Sequence, residues 1–151
     1  MNDALYRLVY VSRNRIDAEL PGLLREIGGI LDLSRSRNAE AGITGALMYN
    51  DGCFAQVLEG EHDVLQDTFE RIQCDERHDQ VCLLGLERVE ARGFGNWSMA
   101  YVGQDEASRH SFAALAAGGG LDPDALPPGR IFELLREHLA DAERAARLMA
   151  A

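Results

Sequence analysis

The chain has 151 residues, and all 15 of its basic residues are arginine, against 25 acidic residues. The lack of lysine excludes chemistry that depends on a lysine side chain, such as a phosphate-loop nucleotidase or a Schiff-base enzyme. The formal net charge of −10 argues against a protein that grips nucleic acid or an anionic membrane surface. The length fits one domain, since domains commonly run to about 100 to 150 residues.

Three cysteines stand at Cys53, Cys74 and Cys82, without the spacing of a metal site or a C-x-x-C motif. An odd number of scattered cysteines suits reduced thiols in the cytoplasm. The acidic N-terminal residues lack the layout of a signal peptide, and no apolar run approaches the roughly 18 residues of a membrane span. These features predict a cytoplasmic protein with no metal site.

The first two predicted elements are a strand and a helix. Residues 5–12 carry β-branched and aromatic side chains on both alternating faces, which predicts a strand covered on both sides. Residues 20–38 then place apolar side chains at helical spacing. The glycine pair at 28–29 predicts an irregular turn or close packing, because each glycine weakens a helix by about 1 kcal/mol relative to alanine. Gly42 ends the helix.

A hairpin follows, with strands at 43–49 and 53–59 joined by turn residues at 50–52. The next predicted elements are an amphipathic helix at 61–74, a strand at 81–89 and a strand at 97–102. The order strand, helix, strand, strand, helix, strand is that of the split βαβ unit. It predicts an α+β, ferredoxin-like sandwich: a mixed five-stranded sheet with two helices on one face.

Beyond Gly103 the composition changes to alanine, glycine and proline. We expect a short helix at 105–117, a linker at 118–128 and a helix at 129–149. The apolar stripe of this last helix consists of Ile131, Leu134, Leu135, Ala142, Ala145 and Met149. Such a tail can hardly fold alone, so it should pack on the open face of the sheet or on another subunit. The predicted division is therefore a domain at 1–103 and a helical cap at 104–151.

The third predicted strand carries a polar residue, Gln56, on the same face as Phe54 and Leu58. A buried amide left without a hydrogen-bond partner costs roughly 1 to 3 kcal/mol, so Gln56 needs partners. A structural glutamine and a functional one are equally compatible with this position. Tyr10 on the first strand is a candidate partner, although a strand tyrosine is more often a core residue.

Other candidate residues each have a common structural explanation. Asn38, which follows Ser34 on the same helix stripe, suits a helix C-terminal cap. Trp97 packed by Met99 is typical of a core. The remaining candidates are Arg77 and His78, which follow the second helix and could meet a phosphate or stay solvated.

Together, several segments closely resemble the BLUF family of blue-light sensors that use flavin. They are residues 9–12, Asn38 followed by G-I-T-G-A-L at 42–47, the run F-A-Q-V-L-E-G at 54–60, Arg77-His78, and W-S-M at 97–99. The resemblance covers about residues 4–103. Its most specific part is the F-x-Q-x-L-E-G run, with W-S-M at the family's usual distance.

The resemblance implies a flavin bound between the first two helices: FAD, or the shorter FMN or riboflavin. It assigns Tyr10 and Gln56 to a light-sensing hydrogen-bond chain and Asn38 to the polar edge of the ring. Trp97 and Met99 become residues that exchange contact near Gln56.

The same resemblance assigns Ser34 and Phe54 to the pocket wall. Arg77 and His78 match a region toward the ribityl and phosphate end. Arg37 stands where other members often carry histidine or asparagine, and its guanidinium could stack over the ring or point to solvent.

We therefore expect a photoreceptor and not an enzyme. The tail beyond Gly103 is too short for a catalytic output domain, so its signal should pass to a protein partner or through a homo-oligomer. An acylphosphatase-like hydrolase is the main alternative, with residues 12–15 as its only candidate phosphate loop. An RNA-binding module lacks the required basic aromatic strand motif. A thiol catalyst at Cys53 lacks an evident histidine.

Overall fold

The computed structural model describes residues 4–15, 20–50, 53–95, 97–102, 129–137 and 139–140. Its elements are β1 (Leu5–Asn14), α1 (Leu20–Ala41), β2 (Thr44–Asn50), β3 (Cys53–Glu61), α2 (His62–Gln73), β4 (His78–Val89), β5 (Ala100–Val102) and α3, helical at 129–137 and 139–140. The predicted helix at 105–117, the linker at 118–128 and the end of the last predicted helix lie outside the described residues.

The five strands form one mixed sheet in the order β4-β1-β3-β2-β5. β1 pairs antiparallel with β3 and β4, β2 pairs antiparallel with β3, and β5 pairs parallel with β2. The first four strands have the ferredoxin-like arrangement, and β5 extends it at the β2 edge. The predicted α+β fold is confirmed.

Both faces of the sheet are covered. Along β1, Leu8 and Tyr10 belong to the core under α1 and α2, while Val9 and Val11 belong to the core under α3, and all four are buried. The α1/α2-side core takes from the helices Leu23, Ile27, Leu31, Leu65 and Phe69. The α3-side core takes Ile131, Leu134, Leu135 and Leu139. Of the two positions predicted for the tail, α3 therefore occupies the open sheet face.

The end of α1 differs from the prediction. The helix continues to Ala41, and Gly42 adopts φ +72°, a conformation that glycine reaches without steric cost. The amide of Ile43 donates to the carbonyl of Asn38 at 2.9 Å and closes the last turn. The structural interpretation of Asn38 as the cap is therefore wrong, because the helix runs past it.

Three other local predictions also need correction. The glycines at 28–29 lie in uninterrupted helix, and a Cβ built on either would meet nothing within 4 Å, so there is no irregular turn or close packing. β4 begins at His78 instead of residue 81, because its first residues pair with the end of β1. β5 covers only Ala100–Val102, since residues 97–99 are not strand.

Within the described residues, none of the helices combines the length and apolar character needed to cross a membrane.

A cleft between α1 and α2

A cleft opens between α1 and α2, with the sheet as its floor. It has about 830 Å³ of empty space, including the part open to solvent. Its polar lining consists of Tyr10, Ser34, Arg37, Asn38, Gln56, Thr68, Arg71, Asp75, Arg77 and His78. Its apolar lining consists of Ile30, Leu33, Leu47, Phe54, Leu58 and Ile72. A concave site with apolar walls and several convergent polar groups suits a small organic ligand.

A hydrogen-bond chain lies at the floor of the cleft. Tyr10 and Gln56 stand opposite each other in the β1–β3 register, and the Tyr10 hydroxyl donates to Oε1 of Gln56. Nε2 of Gln56 donates to Sδ of Met99 at 3.3 Å. The side chain of Gln56 is thus satisfied at both ends in a buried environment, as a central-strand amide must be.

The residues before β5 are held by α1. Nδ2 of Asn38 donates to the carbonyl of Ser98 at 2.8 Å, and Nε of Arg35 donates to the carbonyl of Met99 at 2.9 Å. Met99 is buried, whereas Trp97 is 36% exposed. In this arrangement the buried Met99 contacts the Gln56 amide.

Burial raises the pKa of the Tyr10 phenol far above its ordinary value, and the nearby carboxylate of Asp75 raises it further. The phenol consequently remains protonated and acts as a hydrogen-bond donor at any physiological pH. The low dielectric of the site strengthens its bond to Gln56.

Arg77 and Asp75 form a tight local pair at the α2 side of the cleft. The guanidinium contacts the carboxylate through Nε at 2.9 Å and through Nη2 at 2.5 Å. This pairing lowers the pKa of Asp75 and raises that of Arg77. Arg77 lies at the cleft as predicted, but its charge is already shared with Asp75.

His78 uses both ring nitrogens. Nδ1 is 2.8 Å from Oγ of Ser12, and Nε2 is 2.5 Å from the carbonyl of Ile72. Because a carbonyl only accepts, Nε2 carries the proton. The ring therefore ties the end of α2 to β1 while one of its surfaces lines the cleft.

The cleft brings together most of the residues that the sequence singled out. Tyr10, Ser34, Arg37, Asn38, Phe54, Gln56, Arg77 and His78 all line it. Trp97 and Met99 are not among its described lining residues, although Met99 accepts a hydrogen bond from Gln56, which does line it. Sequence reasoning missed Thr68, Arg71 and Asp75. Thr68 follows Leu65 by three positions on the buried stripe of α2, so helical periodicity could have identified it.

Two observations test whether a flavin fits this cleft. Oγ1 of Thr68 is buried and has no hydrogen-bond partner among the described residues. Buried polar groups are normally hydrogen-bonded, and a polar atom of a ligand bound in the cleft could be the partner of this hydroxyl. Leu33 lines the cleft yet is 44% exposed, leaving apolar surface for a planar ring to cover. A flavin ring has a polar edge and apolar faces, and the described lining offers partners for both.

The segment proposed for an acylphosphatase-like phosphate loop has another structure. Residues 12–14 belong to β1, and Arg13 and Arg15 both pair with Asp79, at 3.0 and 3.3 Å. Cys53 is half-buried and packs against the α3-side core. The hydrolase alternative is not supported.

The chain matches the model of the BLUF family, described as sensors of blue-light using FAD, over residues 5–100. It is 33% identical over 107 residues to the photoactivated adenylate cyclase subunit beta of Euglena gracilis, covering 70% of this chain and 12% of that protein. The chain thus spans a small part of that relative.

Two solved structures resemble the chain over most of their length. The photo-activated state of BlsA is 32% identical with a TM-score of 0.75, covering 89% of this chain and 94% of that one. The dark state of BlrB, a BLUF protein, is 32% identical with a TM-score of 0.71, covering 89% and 98%. The family match, the ferredoxin-like fold and the cleft with its Tyr10–Gln56 pair agree: the chain belongs to the BLUF family of flavin-binding blue-light photoreceptors.

Proposed function

We propose that this chain binds FAD between α1 and α2 and that Tyr10 and Gln56 form its light switch. The observation that carries the proposal is the buried chain from the Tyr10 hydroxyl to the Gln56 amide and on to Met99. Asn38 and Thr68 would face the polar edge of the ring, and Ser34, Phe54 and Arg37 would form the wall. Arg77 and His78 would lie toward the ribityl and phosphate end.

When bound and excited by blue light, the flavin supplies a strong electron acceptor beside these residues. Tyr10 is the proposed source of the electron and the proton, and it takes both back. Gln56 has two donors and an acceptor, so rotation or tautomerisation reverses its hydrogen-bond pattern. A new bond from Gln56 toward the ring would shift the absorption to the red without a covalent bond. Net exchange of one hydrogen bond is worth about 1 kcal/mol, enough to bias two nearly equal packings.

The proposed signal leaves through Met99, Trp97 and β5 toward the C-terminal helices. We propose that residues 1–103 are the sensor domain, that 104–151 are a cap and relay, and that the output is contact with a protein partner or rearrangement of a homo-oligomer. The chain would therefore act as a sensor and not as an enzyme, and it would do so in the cytoplasm, where its three cysteines stay reduced.

The test is absorption spectroscopy of the purified chain. The protein should be yellow, and blue light should shift its flavin bands reversibly to the red. Tyr10→Phe and Gln56→Ala should each retain flavin and lose the reversible shift. High-performance liquid chromatography of the flavin released from the protein would distinguish FAD from FMN and riboflavin.

Matched controls exist on the same elements. Tyr6→Phe removes a hydroxyl from β1 beside His62, away from Gln56, and Gln66→Ala removes an exposed amide from α2. Both controls should keep the normal shift. A normal shift in Gln56→Ala would refute the switch assigned here, and a colourless protein that does not take up flavin would refute the binding site.

A further inference from the structure

The carboxylate of Glu59 lies outside the cleft, on the opposite face of the sheet. Successive strand residues point to opposite faces, so Gln56 faces α1 and α2 while Glu59, three positions later, faces α3. The side chain of Glu59 is 0% exposed. A carboxylate is this deeply buried only where hydrogen bonds and charge partners compensate for its lost hydration.

Glu59 has such partners on several elements. Arg7 of β1 donates to Oε2 through Nε at 3.1 Å and Nη2 at 3.0 Å. The backbone amides of Gly93 and Phe94 donate at 2.7 and 2.9 Å. The Thr44 hydroxyl of β2 lies 3.3 Å from Oε1. One carboxylate therefore joins β1, β2 and β3 to the residues that precede β5.

Those residues cross from one face of the sheet to the other. We call residues 93–95 and 97–99 the crossing segment. Phe94 is buried in the α3-side core, and Met99 is buried in the α1/α2-side core. The Trp97 amide donates to the Phe94 carbonyl at 2.9 Å, and the Trp97 carbonyl accepts from Gly45 at 3.1 Å. Glu59 thus holds one end of the segment, and Gln56 contacts the other end.

On the α3 side of the sheet, the ring of Phe132 packs against Arg7, Gly93 and Phe94, the residues that donate hydrogen bonds to Glu59. The Arg7 guanidinium lies 3.7 Å from the centre of the Phe132 ring, and Phe94 meets that ring edge-on at 5.6 Å. A Cβ added to Gly93 would stand 2.4 Å from the ring. Arg7, Gly93 and Phe94 together form the surface on which α3 is seated.

We propose that Glu59 is a positioning residue that couples the Gln56–Met99 contact to the packing of Phe132, a residue of α3, against Arg7, Gly93 and Phe94. The inference rests on the proposed light switch. Because Arg7, Gly93 and Phe94 all donate hydrogen bonds to the one carboxylate of Glu59, they move as one unit. A displacement that begins at Met99 and travels along the crossing segment therefore changes the surface under Phe132. Without the carboxylate these groups move separately, and the displacement is not passed to α3.

The test compares hydrogen exchange of residues 129–140 in the dark and under blue light, in the flavin-loaded full chain, with the absorption shift recorded on the same sample. The wild type should show a red shift and a light-dependent change in exchange at 129–140. Glu59→Gln should keep the red shift and lose the light-dependent change. Phe132→Leu should do the same, because it removes the ring that contacts Arg7 and Phe94.

Two controls separate coupling from simple loosening of the structure. Leu139→Val reduces the packing of α3 away from Phe132, so it should raise exchange in both states and keep the light-minus-dark difference. Glu87→Gln makes the same chemical change at an exposed position opposite Arg7 on β4 and should behave as wild type.

A full light-minus-dark difference in Glu59→Gln would overturn the proposal. If Glu59→Gln does not fold, Phe132→Leu decides, and a retained difference there overturns it. A wild type with a red shift but no change at 129–140 overturns the coupling and leaves the light switch intact. A wild type without a red shift refutes the switch, and the coupling with it.

Discussion

The groups nearest the Gln56 amide are uncharged. Tyr10 donates to Gln56, Gln56 donates to Met99, and burial keeps the Tyr10 phenol protonated by raising its pKa. An amide can reverse its donors and acceptor without creating a charge, which a buried site tolerates far better than ionisation. The residue types at the floor of the cleft thus allow the amide to reverse its hydrogen-bond pattern without creating a buried charge.

Thr68 gives a prediction at the same scale, because its buried hydroxyl lacks a partner among the described residues. Thr68→Val removes the hydroxyl at nearly constant shape. The flavin-free protein should gain about 1 kcal/mol in the free energy of unfolding, and flavin should bind about fivefold more weakly. Urea unfolding and a flavin fluorescence titration measure the two effects.

Thr44→Val is the contrasting variant. The Thr44 hydroxyl accepts from Arg92 at 2.8 Å and lies 3.3 Å from Glu59, so its loss should destabilise the protein and leave flavin affinity unchanged. If Thr68→Val binds flavin as tightly as wild type, the Thr68 hydroxyl does not meet the ligand.

At the scale of elements, α1 does two things: it forms one wall of the cleft and, through Asn38 and Arg35, it fixes the backbone of residues 98–99. The C-terminal end of α1 therefore affects both the wall of the cleft and the position of residues 98–99. The turn at Gly42 takes φ +72°, and the following residue is tied back to the last helical turn. An L side chain in this conformation costs roughly 1 to 2 kcal/mol.

Alanine substitutions of a glycine within α1 and of the glycine just after it should change the free energy of unfolding in opposite directions. Gly42→Ala should lower the free energy of unfolding by about 1 kcal/mol because of its positive φ. Gly29→Ala lies in regular helix with open space around its Cβ, so it should raise that energy by about 0.5 to 1 kcal/mol. Denaturant unfolding of both variants tests this, and an equal effect from the two would contradict the backbone explanation.

At the scale of the whole molecule, one five-stranded sheet separates two hydrophobic cores. The core under α1 and α2 includes Tyr10, Phe54 and Met99 beside the cleft, and the core under α3 includes Phe94 and the first turns of α3. The sheet is closely packed between them, so a rearrangement on one face reaches the other through defined connections. The crossing segment is the connection that the described residues provide.

The stability of the whole fold at acid pH depends in part on the ionised carboxylate of Asp75. Hydrogen bonding to Arg77 lowers the folded-state pKa of Asp75 below its ordinary value of 3.8. Such a carboxyl stabilises the fold above pH 3.8, and this contribution is lost as the pH falls through the folded-state pKa. Asp75→Asn should therefore be less stable than wild type at pH 6, with the difference narrowing toward pH 3. The melting temperatures of wild type and variant at pH 6 and pH 3 measure this difference in stability. The control is Asp67→Asn, at an exposed position on α2, whose difference from wild type should not narrow between pH 6 and pH 3.

Periodicity predicted the strands, the first two helices and the double coverage of β1, because these depend on short-range patterns. It also located Gln56, since a polar side chain between Phe54 and Leu58 breaks an apolar face. It missed Glu59, and it missed the Thr68 hydroxyl, which has no hydrogen-bond partner within the described part of the chain. Three of the partners of Glu59, namely Arg7, Gly93 and Phe94, lie 34 or more residues away along the chain, and only the assembled sheet brings them together.

The spacing of β3 limits how the chain can change in length. Gln56 and Glu59 are three positions apart, an odd number, so they face opposite sides of the sheet. One inserted or deleted residue between them would turn both toward the same side and disturb the pairing of β3 with β1 and β2. Natural variants of this protein should therefore differ in length within loops and keep β3 at constant length, and a library of single-residue insertions should show its deepest loss of light response at residues 56–59.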